Sequence, residues 1–533
     1  MKRTIFLPIL AIFSSLMVTG CFTDKSSLDS DKFDEVKIAS GSIPEIIRVE
    51  YLENISLTPL IDPGNADISD FSFKWEINQA PGSTEMVTLS TERTLNATIT
   101  NKIVSSAYAL IFTVKDEKHG VEYRKAWPVY VSSSFREGIV VADTKDGNSS
   151  DFNLIMDDNL TTSYNKGQNI KYGIWKTSTG STHPALIKSI TYALHKPTSI
   201  LTKNVITAIY QNKEIEMYNC EDYSLYKNTE QIFPAKTASF DPQAFYTINN
   251  GYWILIANNI IYGFPSNQGI TSFMVQASGT NYVDNAIVVP DNTNGAGPFA
   301  FWYNNNTGRI YNITAAYSTP MGGGEYTTQG SFNPGALPDR RIIAADISID
   351  GATPAFLLKN NSTSNYELYA ISFGYYDVNW NLIPSTPRLK ADLPVALTSI
   401  INSAVSIFFA SNDPVMYVVT PSKVYAILYG GGIVSYSEVY TAASGEQISK
   451  GKLFIQGRYR LNKGDFNSTS GPIYEAPLAL NTKAIVLTTQ SSEYAGNVYV
   501  IPITNTTTGT LNTASAKKYT GFGKIIDFTF QGQ

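Results

Sequence analysis

Three histidines, His119, His183 and His195, and two cysteines, Cys21 and Cys220, make up the chain's whole supply of imidazole and thiol chemistry. Zinc sites gather several Cys, His or carboxylate ligands at close spacing. His183 and His195 show no HExxH arrangement, so ordinary loop or surface histidines are expected. Cys220 lies in Met217-Tyr218-Asn219-Cys220-Glu221-Asp222, with no adjacent histidine or basic residue to favour a thiolate. It reads as a partly buried structural cysteine. No GxSxG elbow occurs. The run Met321-Gly322-Gly323-Gly324-Glu325 continues as Tyr326-Thr327-Thr328 and lacks the lysine of a phosphate loop.

The acidic residues offer two loops to weigh. Asp143, Asp146 and Asp151, with Asn148 among them, present hard oxygens of the kind calcium takes. Their spacing does not match the helix-loop-helix calcium motif, and a solvated turn is the expected role. Asp62, Asp67 and Asp70 invite the same comparison, but Pro63, Gly64 and Asn65 mark that stretch as a turn. The two carboxylates of a glycosidase converge from separate strands, so spacing names no pair. The expectation is a protein that is not an enzyme and needs neither metal nor cofactor.

Binding chemistry is better supplied. The chain carries 33 Tyr, 26 Phe and 6 Trp, and sugars meet exposed aromatic faces flanked by amides or carboxylates. In Gly374-Tyr375-Tyr376-Asp377-Val378-Asn379-Trp380-Asn381, the aromatic residues Tyr375, Tyr376 and Trp380 form a candidate ligand platform, with Asp377 and Asn379 as its polar contacts. A second candidate is Phe301-Trp302-Tyr303-Asn304-Asn305-Asn306. The alternative for both is that the aromatics pack between sheets. A net charge of -5, without any basic stripe, argues against a nucleic-acid partner, and none is expected.

Cys21 has a different role. Lys2 and Arg3 precede an apolar run from Ile5, interrupted by Ser14 and Ser15, and the segment ends in Val18-Thr19-Gly20-Cys21. This order reads as a secretion signal over 1–20 with a lipobox, the site where the cysteine is acylated and the chain is cut before it. The polar stretch 21–42 reads as a flexible tether. After cleavage Cys220 has no thiol partner within the chain, so stability must come from packing.

Residues 43–133 read as the first folded unit. Phe71-Ser72-Phe73-Lys74-Trp75-Glu76-Ile77 alternates, which puts Phe71, Phe73, Trp75 and Ile77 on one side of a strand. Tyr108 to Val114 forms a second strand. Val121 to Val131 forms a third, with Trp127, Val129 and Val131 inward and Pro128 suited to an edge or bulge. Several short half-apolar strands in so few residues point to a sandwich. Leu57-Thr58-Pro59-Leu60, FSFKWEI, YALIFTVKD and WPVYVSS resemble the PKD-like domain of lipoproteins of the Bacteroidota, and Trp75 matches the core tryptophan of that pattern. The acidic residues behind Cys21 resemble the export signals of surface lipoproteins in the same group. The resemblance implies an immunoglobulin/PKD-like β-sandwich in an envelope protein, and it carries no catalytic residues.

From 134 to 533 the recurring unit is two apolar strands joined by a polar turn. Pairs start near Ile139, Thr207, Trp253, Phe301, Phe356, Met416 and Ile485. Such a series fits the blades of a seven-bladed β-propeller, with Gly523 to Phe530 as a closing strand. Two or three further sandwiches are the competing architecture. The whole chain is thus expected to be all-β. Its expected place is the outer membrane, lipid-anchored through Cys21 and facing the exterior. Its expected partner is a glycan or an extracellular protein, with an outer-membrane uptake complex as a further partner. Glycan binding through Tyr375 and its neighbours is the first reading of function, and adhesive or structural protein recognition is the second. A concave aromatic site favours the former, and an exposed apolar patch the latter.

Overall fold

The computed structural model describes residues 36–532 apart from 42, 105, 163, 165, 196–202, 235, 237–238, 249–251, 266–274, 277–282, 285, 289–299, 314–329, 352, 373–374, 377–380, 384 and 458–477. The architecture is all-β, and the chain divides into two compact units, Met1–Ser132 and Ser133–Gln533. Among the described residues no helix is long and apolar enough to cross a membrane.

The first unit is a β-sandwich. Its main sheet runs in the order Ile47–Glu50, Val121–Ser132, Tyr108–Asp116, Phe71–Asn78, Met86–Ser90. Two short ladders accompany it, Asn54–Leu57 with Leu95–Thr98 and Lys37–Ala39 with Leu60–Asp62. The alternation read from the sequence becomes the core. Phe71, Trp75, Ile77, Trp127, Val129 and Val131 are buried, and Phe73 packs against them half-buried. The Trp75 ring lies 4.6 Å from Phe112 and 5.8 Å from Trp127 between centroids, distances at which offset aromatic pairs attract.

Pro128 takes the locally open flank that the expected edge position implies, although its strand as a whole lies inside the sheet. It stands opposite Ala109, whose N–H donates to Asn78 Oδ1 at 2.8 Å rather than across the pair. The missing Pro128 N–H therefore falls on the other flank. There the parallel neighbour joins only at Val129, opposite Ile47, so no ladder bond is lost.

Among the described residues of the second unit all strand pairings are antiparallel, and they make seven sheets of three to five strands beside one two-stranded ladder. Each of the seven expected strand pairs is a ladder. Examples are Ile139 opposite Ile155, Leu255 opposite Tyr262 and Leu487 opposite Tyr499. The first sheet holds Asn169–Lys171, Asp151–Met156 and Gly138–Thr144, completed by Lys524–Gln531 from the far end of the sequence. Next to it comes a sheet of Ile187–His195, Lys203–Tyr210, Ile215–Asn219 and Leu225–Lys227.

Strands such as Gly138–Thr144 and Val415–Val419 are buried at every residue. The reason is that each sheet covers both neighbours. Phe152 of the first sheet meets Tyr218 of the second at 5.3 Å. Ile209 packs with Trp253, Ile254 with Trp302, Tyr303 with Leu358, Leu357 with Met416, and Val415 with Leu487. Val486 then packs with Val141, back at the first sheet. Strands apolar on both sides are what such stacking demands.

Candidate binding site beside the first sheet

In the first sheet Asp143 and Asp151 are direct cross-strand partners. Like charges in that position repel. Both side chains are nonetheless buried, Asp143 to 1 % exposure. The Gly523 N–H donates to Asp143 Oδ2 at 2.6 Å. Only glycine allows this approach, since a Cβ at position 523 would stand 2.2 Å from the Thr144 carbonyl oxygen. Asp143 Oδ1 is buried with no hydrogen-bond partner. Asp151 is differently served, accepting from the N–H groups of Phe152 (2.8 Å), Trp175 (2.7 Å) and Lys176 (3.3 Å), which ties it to the short helix Ile174–Thr179. Burial raises both carboxyls above their usual range, and for Asp151 the Asp143 charge adds to the effect.

Around this pair is a cavity of about 290 Å³, lined also by Asp146, Ser149, Asn153, Lys176 and Thr182. Asn153 holds its wall, with Nδ2 donating to Val141 O (3.3 Å) and Oδ1 accepting from Gly173 N–H (3.0 Å). Asp146 is consumed by its own turn. It accepts from the N–H groups of Asn148 and Ser149, each at 2.8 Å, and these bonds hold its carboxyl far below the usual range. The solvated turn read from the sequence is therefore right for Asp146 and wrong for Asp143 and Asp151, which the ladder carries inward. Among the described residues no three His, Cys, Asp or Glu side chains converge to hold a metal.

His195 departs from the loop or surface expectation, and His183 lies in a loop but is buried there. His183 stacks on Tyr210 at 4.2 Å and pairs through Nε2 with Glu216 Oε2 at 3.2 Å. The Tyr218 hydroxyl donates to the same carboxylate and meets the Tyr210 hydroxyl at 2.7 Å. Burial alone would raise Glu216, but the His183 and Tyr218 hydrogen bonds hold it below its ordinary value. His195 lies buried in a strand with Nδ1 2.7 Å from the Tyr226 hydroxyl, and burial, with Lys227 and Lys203, lowers it to about 3. His119 sits in a turn, 2.7 Å from Asp116. Cys220 is buried, and burial raises its thiol well above the usual range, so it carries no thiolate.

A second charged cluster joins three sheets and has no signature in the sequence. Asp527, on Lys524–Gln531, accepts from Lys450 Nζ (2.8 Å) and Lys452 Nζ (2.9 Å) on Gln447–Leu453, and from Ile190 N–H (3.0 Å) on Ile187–His195. Burial alone would raise Asp527, but Lys452 and Lys450 hold it at about 2.

Of the expected aromatic sites, Phe301, Trp302 and Tyr303 lie in Ala300–Asn304 and are fully buried, so this loop is a core strand and not a platform. Tyr375–Tyr376 pairs with Leu382–Ile383 as a two-stranded ladder. Asp377, Asn379 and Trp380 lie outside the described residues, as does Cys21.

No curated protein matches the chain. Three solved structures show distant likeness. BBS1N in complex with ARL6DN is 11 % identical over 63 % of this chain and 84 % of that one, with a TM-score of 0.32. PorZ, a surface component of the type-IX secretion system of Porphyromonas gingivalis, is 9 % identical over 73 % of this chain and 46 % of that one, with a TM-score of 0.32. BamB from Moraxella catarrhalis is 9 % identical over 72 % and 89 %, with a TM-score of 0.30. At these scores the likenesses bear on neither partner nor activity. The PKD-like family model matches residues 21–185, and the chain therefore carries an N-terminal PKD-like domain.

Proposed function

We propose that this chain is a protein-recognition module of the cell envelope, exported and lipid-anchored through Cys21, with residues 21–42 as its tether. Residues 43–133 act as a sandwich spacer, and residues 134–533 form a seven-bladed β-propeller. Seven stacked sheets whose packing returns to the first, and the pairing of Lys524–Gln531 with Gly138–Thr144, support the propeller reading.

The observation that carries protein recognition is the strand Ser435–Thr441. It is the outermost strand of its sheet, mostly exposed, and entered through Gly430-Gly431-Gly432-Ile433. Ile433 is 84 % exposed and Tyr436 40 %. A free strand edge offers backbone hydrogen bonds to an extended partner segment, and the neighbouring apolar side chains give it an anchor. The test is capture of envelope proteins by the full chain, compared with the Ile433→Asp/Tyr436→Asp double variant. A partner held by the native chain and lost by a folded variant supports the reading. Equal capture by both removes this strand from it. Cys21→Ser should release the protein from the membrane fraction.

Glycan recognition remains a second reading, at the loop of Tyr375, Tyr376, Asp377, Asn379 and Trp380. The pairing of Tyr375–Tyr376 with Leu382–Ile383 favours it by fixing the backbone at both ends of the loop. Polysaccharide binding lost in Trp380→Ala would support it.

A further inference from the structure

The cavity beside Asp143 is built at a cost that the fold alone does not require. A ladder normally keeps carboxylates from facing each other, and here two do so while buried. Their hydrogen bonding is unequal. Asp151 spends its oxygens on the N–H groups of Phe152, Trp175 and Lys176. Asp143 spends only Oδ2, on Gly523. The Asn153 amide donates to Val141 and also favours the charged Asp143 carboxylate, without reaching Oδ1. One carboxylate oxygen, in a residue 1 % exposed that lines the cavity, is thus left with no donor.

The cavity's size and donor set narrow what completes the site. About 290 Å³ equals the share of roughly ten waters, more than a bare ion fills and close to the lower bound of small-molecule pockets. No third His, Cys, Asp or Glu converges among the described residues to make a metal site. Two opposed carboxylates are instead met by a cation rich in N–H groups, whose charge offsets theirs and whose protons reach more than one oxygen.

We infer that this cavity receives the ammonium or guanidinium end of a lysine or arginine side chain presented by a protein partner. The inference rests on the protein-recognition reading and adds the chemistry of the partner residue. Lys145 and Lys176, both exposed, also line the cavity. A partner cation must compete with their charge, so Lys176→Met should tighten binding.

The probes are Nα-acetyl-lysine amide and Nα-acetyl-arginine amide, with neutral Nα-acetyl-norleucine amide and calcium chloride titrated separately into the full chain by calorimetry. Saturable binding of at least one cationic amide is expected, with Kd on the order of 1 mM, and none of the neutral one. Asp143→Asn should weaken it at least about tenfold, the loss of one charge-assisted hydrogen bond. If that variant does not fold, Thr182→Trp fills the cavity while leaving both carboxylates in the chain and should abolish binding. Absence of saturable binding by both cationic amides overturns the inference, as does binding undiminished in the folded variants. Calcium binding without amide binding overturns it in favour of a metal site. Single-residue probes interrogate the cavity alone, so their failure leaves the capture experiment on Ile433 and Tyr436 untouched.

Discussion

Asp143 and Asp527 sit on neighbouring strands of one sheet, where Ala142 pairs with Asp527, and both are almost wholly buried. They are provided for in opposite ways. Asp527 has two lysines and a backbone N–H, and its carboxyl is held at about 2. Asp143 faces a second aspartate and keeps one oxygen unpartnered, and burial lifts its carboxyl above the usual range. A buried charge supplied with its counter-charges is part of the scaffold. One whose nearest cation, Lys145, stands exposed in solvent is a cost to stability, and a ligand can recover it.

The strongest way to break this contrast is Asp527→Ala. It strands Lys450 and Lys452 against each other and orphans the Ile190 N–H. A loss of about 3 kcal/mol is expected in urea unfolding, the lower end of the range for broken buried pairs because the lysines are a third exposed. The native Asp527 contribution is present above the unfolded carboxyl pKa and lost as pH falls through about 2.

Asp143→Asn should act in the other direction, stabilising the protein by about 1 kcal/mol at neutral pH, because a repelled, desolvated charge is removed. The sign follows from the raised carboxyl. Its protonated form favours the fold below the unfolded pKa of about 3.9, and that advantage is lost as pH rises through the higher folded value. The pH dependence of melting above about 4 should therefore be flatter in the variant.

Lys450→Met is the finer test. Lys452 still meets Asp527, so a cost of about 1 kcal/mol is expected, well below that of losing the aspartate itself. At the small end, Glu438→Gln removes the exposed partner of Lys423 and should leave the melting temperature unchanged.

The sequence discloses these regions unequally, for physical reasons. Paired central strands such as Met416–Val419 and Lys423–Ala426 are legible because burial on both faces forces continuous apolar runs around a polar turn. Flanking strands are not. Gln447–Leu453 reads as polar because Lys450 and Lys452 serve Asp527 and Gly451 makes room for Leu487 and Val419. The acidic spacing of Asp143, Asp146 and Asp151 is visible, but the cross-strand register that separates the turn residue from the buried pair is not. The Asp527 cluster is invisible because its members come from three distant segments. Trp302 misleads for the opposite reason, since an aromatic run next to asparagines has one composition whether it lies on a surface or in a core strand.

The pairing of Lys524–Gln531 with Gly138–Thr144 has a consequence for how the protein is made. A strand synthesised early waits, with one edge open, for a partner nearly four hundred residues later. Contacts of such sequence separation form slowly, and an open edge in the meantime invites pairing with another chain. Premature termination before residue 524 should therefore yield aggregates rather than a shorter working molecule.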